Sequence, residues 1–429
     1  MRIVLNPPEK EWELLFRRSE MEKAWIEEKV RNILTRVRSE GDNALFEFSE
    51  KYDGVRPENL KVSIEEISES AKLIPQALKD AISVAKENIE KFHSAQLFEE
   101  PVTETSGGVK CWRKNVAIGR VGIYVPGGSA PLFSTVLMLA VPAKIAGCQE
   151  IIMCTPPDSE GKVNPLILYA AFITGITSVY RCGGAQAIAA MAFGTESIPG
   201  VDKIFGPGNQ YVTKAKEMVQ LYGVPVDMPA GPSELLIIAD ETGDPEFIAA
   251  DLLSQAEHGI DSQVFLLTDS EAMTGRVREE VIKQVQQLPR QDIALKALEH
   301  SALILLNSLS DCIRFSNLYA PEHLIIAASD PASVAEDVVN AGSVFLGNYS
   351  CESAGDYATG TNHTLPTSGF ARNFSGVSVE SFMKKISFQE VTAEGIKNIG
   401  PVVELMAEAE MLAGHKNAVS VRLNRLKNV

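Results

Sequence analysis

Apolar residues change their period near residue 110. Before it they recur at helical spacing: in EKAWIEEKVRNILTRVRSEGDNALFEFSEKYDG, Trp25, Val30, Ile33, Leu34 and Val37 fall near one helix face. A second helical stretch is predicted over about 75–95. From VAIGRVGIYVPGG onward, short β-branched runs alternate with helical patterns. Strands are predicted at 117–125, 150–154, 177–182, 202–205, 235–239, 263–268, 301–306, 323–328 and 343–346. Helices are predicted between them at 133–146, 164–174, 184–193, 208–221, 245–257, 271–287 and 331–339. Apolar strands alternating with helices imply parallel sheets covered on both faces.

The strands exceed what one sheet holds comfortably, and VPVDMPAGPSE (224–234) is Pro- and Gly-rich enough to mark a crossing. The reading is α/β, with two Rossmann-like parallel-sheet domains and small helical segments at both ends. Residues 1–110 are expected to be mainly helical and to pack on the first α/β domain, 111–234. A second α/β domain spans 235–375, and 376–429 is a C-terminal helical segment. Residues 350–376 are polar and Gly-rich, a length without regular pattern that often carries function. In the tail, Pro401 suits a first helical turn and Gly414 a C-terminal stop.

Composition narrows the function. The chain has 429 residues, too many for one ordinary core. Its net charge of −16 argues against nucleic acid as the main partner. The start, MRIVLNPPEKEWELL, lacks a secretory h-region, and no apolar run approaches the ~18 residues of a spanning helix. Six cysteines without a C-x-x-C pair fit a reduced, cytoplasmic chain.

Only six histidines occur, so their neighbours are informative. His93 and His300 lie in ordinary helical or surface contexts. In QAEHG, Gln255 and His258 are i and i+3 on one helix face, with Gly259 as the stop. That spacing suits a shared metal ion, and it equally suits a histidine at a helix C-terminus, where the dipole favours it. YAPEHL sets Glu322 beside His323 at a strand mouth. Such a pair suits proton transfer near neutral pH, provided the backbone is irregular enough to aim both at one site, which Pro321 permits. The alternative is a solvated strand end. ESAGDYATGTNHTLPTSG carries Asp356 and His363 among small residues, and EAEMLAGHKNAV carries Glu410 and His415 across a helix break. There is no G-x-G-x-x-G fingerprint. YVPGGSAP, RCGGAQAIAA and FGPGNQYV are the glycine-rich candidates for holding an anionic cofactor, the latter two between a strand and a helix.

Together GRVGIYVPGG, RCGGAQAIAA, FGPGNQYV, DMPAGPSE, LLSQAEHG, YAPEHL, SAGDYATGTNHTLPT and AEAEMLAGHKNAV resemble the histidinol dehydrogenase family, in its order and over nearly the whole chain. The resemblance implies an NAD-dependent, zinc-containing homodimer that oxidises L-histidinol through L-histidinal to L-histidine, using two NAD per turnover and one zinc per subunit. It implies Gln255, His258, Asp356 and His415 as zinc ligands and Glu322 and His323 as the catalytic pair. Ser233, Glu410 and the zinc ligands would touch substrate, with His323 and His363 beside them. Tyr124, Gln186 and Asn209 would touch NAD in the 111–234 domain, and the C-terminal segment would cross to the partner subunit. Two other readings compete: a cysteine-dependent aldehyde dehydrogenase with Cys351 as nucleophile, and a non-catalytic metal- or solute-binding protein of two closing domains.

Overall fold

The structure, a computed structural model, describes residues 1–18, 23–127, 131–229 and 231–427, with Lys23 and Ala24 described in backbone only. Gly128, Ser129 and Ala130 of YVPGGSAP and Ala230 of DMPAGPSE therefore lie outside the described residues.

Two parallel sheets dominate. The larger has the order Arg2–Leu5, Ala302–Leu305, Gln263–Thr268, Glu234–Ala239, His323–Ala327, Ser343–Leu346. The smaller runs Ser178–Arg181, Glu150–Thr155, Arg120–Tyr124, Lys203–Phe205. The run ELLIIA shows why these segments form central strands. All six residues are buried, and alternate side chains enter opposite cores. Leu235, Ile237 and Ala239 pack with helices Pro245–Ala256 and Glu271–Val285, whereas Leu236 and Ile238 pack with Leu309–Tyr319 and with Trp12 and Phe16. Each such side chain, fully buried, contributes roughly 1.5–3 kcal/mol. In the smaller sheet the same alternation sends Val121 and Ile123 toward the almost wholly apolar helix Phe133–Ala146, and Tyr124, Ile152 and Cys154 toward helix Gly184–Phe193.

Several expectations need correction. The N-terminal residues do not all serve the first α/β domain. Arg2–Leu5 (RIVL) forms the edge strand of the larger sheet, because its β-branched residues pair along Ala302–Leu305 while Phe16 packs edge-on against Phe315 and Tyr319 and Trp12 lies tilted on Phe315. The strand expected at 117–125 is two strands, Val109–Ala117 and Arg120–Tyr124. The first of these joins Thr103–Ser106 and Met383–Val391 in a third, antiparallel sheet. MKKISFQEV was not anticipated as a strand, since its alternation is between apolar residues and Lys, Gln or Glu on a largely exposed ribbon. Helices Gln291–Glu299 and Leu309–Tyr319 also went unpredicted. In the tail, Pro401 lies inside helix Ala393–Ala409 and Gly414 inside the first turn of Ala413–Lys427. The break falls between them, where Met411 takes a left-handed φ of 58°. Among the described residues no helix is long and apolar enough to cross a membrane.

Candidate active site

The candidate residues fall on two sheet edges of opposite sense. The first is the carboxyl edge of the smaller sheet, where parallel strands hand over to helix N-termini. Tyr124 ends its strand, and its hydroxyl accepts the Gly184 N–H at 3.0 Å. Asn209 caps helix Gln210–Val219, its Oδ1 accepting the N–H groups of Tyr211 (3.0 Å) and Val212 (3.2 Å). Gln186 is buried in the first turn of Gly184–Phe193, and its Nε2 has no partner among the described residues. Gly206, at φ +124°, lets the chain pass the Tyr124 carbonyl, which any Cβ would strike. These three side chains line one cavity of about 620 Å³, which Asn164, the cap of helix Pro165–Ile173, also borders. Three helix N-termini thus meet at one cavity and favour an anion there. Asp53 lines it too, and burial raises its carboxyl to about 6 against a hydroxyl bond from Ser49.

The second edge is the amino edge of the larger sheet, where helices end and strands begin. Helix Leu309–Tyr319 ends at Ala320, whose left-handed φ of 54° turns the chain into Pro321. This is the irregularity the Glu322–His323 pair requires. Gly342 and Ser343 close the turn, donating to the carbonyls of Pro321 and Glu322, each at 2.9 Å. Both side chains of the pair are buried, with Glu322 Oε2 3.7 Å from His323 Nδ1. Glu234, starting the neighbouring strand, holds both: its N–H donates to Glu322 Oε2 at 2.9 Å, and its carbonyl lies 3.3 Å from His323 Nδ1. Nδ1–H is therefore the donor, and the lone pair of the His323 ring sits on Nε2. That buried nitrogen has no hydrogen-bond partner among the described residues and faces Asp356 Oδ1 at 3.7 Å. Burial lowers the His323 imidazole to about 3 and pushes the Glu322 carboxyl well up. The imidazole is consequently neutral at physiological pH.

Gln255 and His258 reach the same edge, though not on one helix face. Helix Pro245–Ala256 ends before His258, and Glu257, not Gly259, is its C-cap. Gln255 is buried in the last turn, and His258 follows in a turn closed by its own N–H on the Gln255 carbonyl at 3.3 Å. His258, Asp356 and Glu352 present ligand atoms within 4.8 Å of one another. His363 borders the pair, its Nε2 3.2 Å from Ser134 Oγ, and burial lowers its imidazole to about 4. Ser233 precedes Glu234 and is tied by its carbonyl to Gln263 N–H at 3.1 Å. Glu410 and His415 stand apart. Both are exposed at the break between the last two helices, and no hydrogen bond or ion pair joins them to this cluster among the described residues.

Three acidic residues were missed. Glu352 is 1% exposed, one turn before Asp356 on helix Glu352–Tyr357, and the i, i+4 spacing in ESAGDY was the available signal. Glu234, within DMPAGPSE, anchors its side chain on Arg18 at 2.5 Å and Ser368 N–H at 2.9 Å. Asp251, one turn before Gln255, is held by burial at about 7. Cys351 is the N-cap residue of the Glu352 helix, is half-buried, and forms no hydrogen bond to a histidine among the described residues.

An anion-favouring cavity at one sheet edge and a buried acid–base pair at another are compatible with an oxidoreductase that holds cofactor and substrate on different elements. Residues 16–423 match the family model described as histidinol dehydrogenase. The chain is 55% identical over 427 residues to a histidinol dehydrogenase of Bacteroides thetaiotaomicron, covering 100% of both. It is 51% identical over 404 residues to one of Mannheimia succiniciproducens, covering 94% of each. The crystal structure of histidinol dehydrogenase from Elizabethkingia anophelis superposes with a TM-score of 0.98 at 55% identity, covering 100% of this chain and 99% of that one. The chain belongs to the histidinol dehydrogenase family, and it is an oxidoreductase of histidine biosynthesis.

Proposed function

We propose that the chain oxidises L-histidinol through L-histidinal to L-histidine with two NAD per turnover, at a zinc-containing site shared between two subunits. The observation that carries this is the His323 Nε2, buried, without a hydrogen-bond partner among the described residues and facing Asp356, with Glu322 at its other nitrogen.

In the first step neutral His323 takes the alcohol proton at Nε2 as hydride leaves the carbinol carbon for NAD, giving the aldehyde. In the second, Glu322 takes a proton from the water that adds to the aldehyde. Its buried environment makes the ionised carboxylate a stronger base than an exposed one. His323, protonated in the first step, returns that proton to the carbonyl oxygen as the hydrate forms, and its neutral Nε2 then removes a proton from the hydrate as the second hydride leaves, giving the acid. Ser233 and His363 border the substrate, and Tyr124, Gln186 and Asn209 contact NAD at the opposite-sense edge.

A zinc ion fits the donor set: the His258 imidazole and the Asp356 carboxylate converge with Glu352, and Gln255, which would add its amide oxygen, lies in the last turn of helix Pro245–Ala256, where the helix end favours a cation. Zinc, when bound, supplies a fixed point for the substrate's imidazole and amine. His415 would complete this set, and Glu410 would hold a substrate N–H, from the partner subunit. Their distance from the cluster in one chain supports exchange of the arm, as do Leu405, Met406 and Met411, exposed by 69%, 61% and 90%.

Separate assays of the two steps test the assignment. Glu322→Gln is expected to slow histidinal oxidation by ~10²-fold or more while slowing histidinol oxidation far less. Equal slowing of both steps would remove Glu322 from water activation.

A further inference from the structure

Glycine is the residue least able to hold its own backbone in place, and Gly206 sits at a φ of +124° that other residues rarely adopt. Its conformation matters because it opens the turn GPGN, which carries Asn209 to the cavity of the smaller sheet. It also lies against the carbonyl of Tyr124, a second residue of that cavity.

Two buried charges hold this glycine. Lys216, 4% exposed and nearly two turns into helix Gln210–Val219, donates through Nζ to the Gly206 carbonyl at 2.7 Å. Asp227 Oδ2 accepts the Gly206 N–H at 2.8 Å, and Asp227 Oδ1 pairs with Lys216 Nζ. The Asp227 side chain is 1% exposed, and its backbone N–H donates to the Ile204 carbonyl at 3.0 Å, beside strand Lys203–Phe205. Both polar groups of Gly206 are thus held by the two members of one ion pair. Burying such a pair costs desolvation that a packed apolar pair avoids, so stability is a weak reason for it. Fixing the entry to a turn that must present a ligand contact is a stronger one.

We propose that Lys216 and Asp227 are positioning residues for the cofactor: they clamp Gly206 by its N–H and its carbonyl, and so hold the turn that presents Asn209 to the cavity. Neither side chain lines that cavity, so each acts through the turn. This rests on the reading of the cavity as the NAD site.

The test is steady-state oxidation of histidinol with NAD varied. Lys216→Met combined with Asp227→Leu removes both charges and keeps apolar bulk, a replacement that often leaves stability intact. It is expected to raise the KM for NAD about 10-fold, with kcat at saturating NAD within about threefold of the parent. Lys216→Met alone leaves Asp227 to accept the Gly206 N–H and is expected to raise the KM about threefold, which keeps the test open if the double variant does not fold. In both variants the Gly206 and Gly208 amides are expected to exchange hydrogen faster than in the parent, and to recover protection when NAD is added. A purely structural pair would lower the melting temperature and leave the KM alone. The proposal is overturned if the folded variants keep the parent's KM for NAD, or if the KM rises with no change in exchange at Gly206 and Gly208. Gln186→Ala and Asn209→Ala test the cavity by itself: if both keep the parent's KM for NAD, the cofactor binds elsewhere and the reading of the cavity fails, whatever the ion pair does.

Discussion

The two parallel sheets are built from the same strand–helix rhythm yet carry their candidate residues at opposite edges. The smaller sheet has its candidate residues at the carboxyl edge, where the helix N-termini at Asn164, Gly184 and Asn209 meet one cavity. This is the usual ligand edge of an open α/β sheet, and its partial positive charge suits a pyrophosphate. The larger sheet has its candidate residues at the amino edge, where helices Pro245–Ala256 and Leu309–Tyr319 end and the strands of Glu234 and His323 begin. There the helix ends are partially negative, carboxylates gather, and a cation is favoured. Helix polarity would therefore sort the proposed anionic cofactor from the proposed cationic centre without any change of fold.

Breaking one edge should leave the other intact. The largest effect is expected from His323→Asn, which removes the base: kcat for histidinol falls about 10²- to 10⁴-fold in steady-state assays, while NAD binding by calorimetry stays within twofold. Loss of both would mean that the edges are not separate. A smaller effect is expected at the carboxyl edge. Asn209→Ala removes a helix cap, costing about 1 kcal/mol in denaturant unfolding, and raises the KM for NAD several-fold with zinc content unchanged. The smallest concerns Asp53. Its folded pKa, about 6, lies above the ordinary carboxylate value, so its contribution favours the fold at low pH and is lost as pH rises through about 6. Asp53→Asn should accordingly raise the melting temperature by about 2–4 °C at pH 8, for a gain of about 1 kcal/mol after solvent screening. At pH 3.5 it should change nothing. An equal shift at both pH values would show that the gain is not electrostatic.

The residue order conveyed much of this arrangement, and the places where it did not are physical. ELLIIA, QVFLLT and HLIIA read as buried strands because a parallel strand covered on both faces must be apolar throughout. QAEHG and YAPEHL are legible because histidine is scarce in this chain and both motifs lie at breaks. The polarity of the edges was not legible, because it depends on which end of each strand a loop leaves, a property of topology. Glu352 escaped because two acidic residues at i, i+4 in a short helix look solvated until burial is known. The strand Met383–Val391 escaped because it pairs with Val109–Ala117, hundreds of positions away in the chain, and its local pattern is polar. The N-terminal strand Arg2–Leu5 escaped for the same non-local reason.

The separation of the two edges is tested most directly by NADH formation from L-histidinol before and after treatment with a strong zinc chelator, with NAD binding followed in the same samples. Two NADH per histidinol are expected from the zinc-loaded protein, and chelation is expected to abolish turnover while leaving NAD affinity unchanged. Undiminished turnover in demonstrably zinc-free protein, or NAD binding lost together with the metal, would contradict the account.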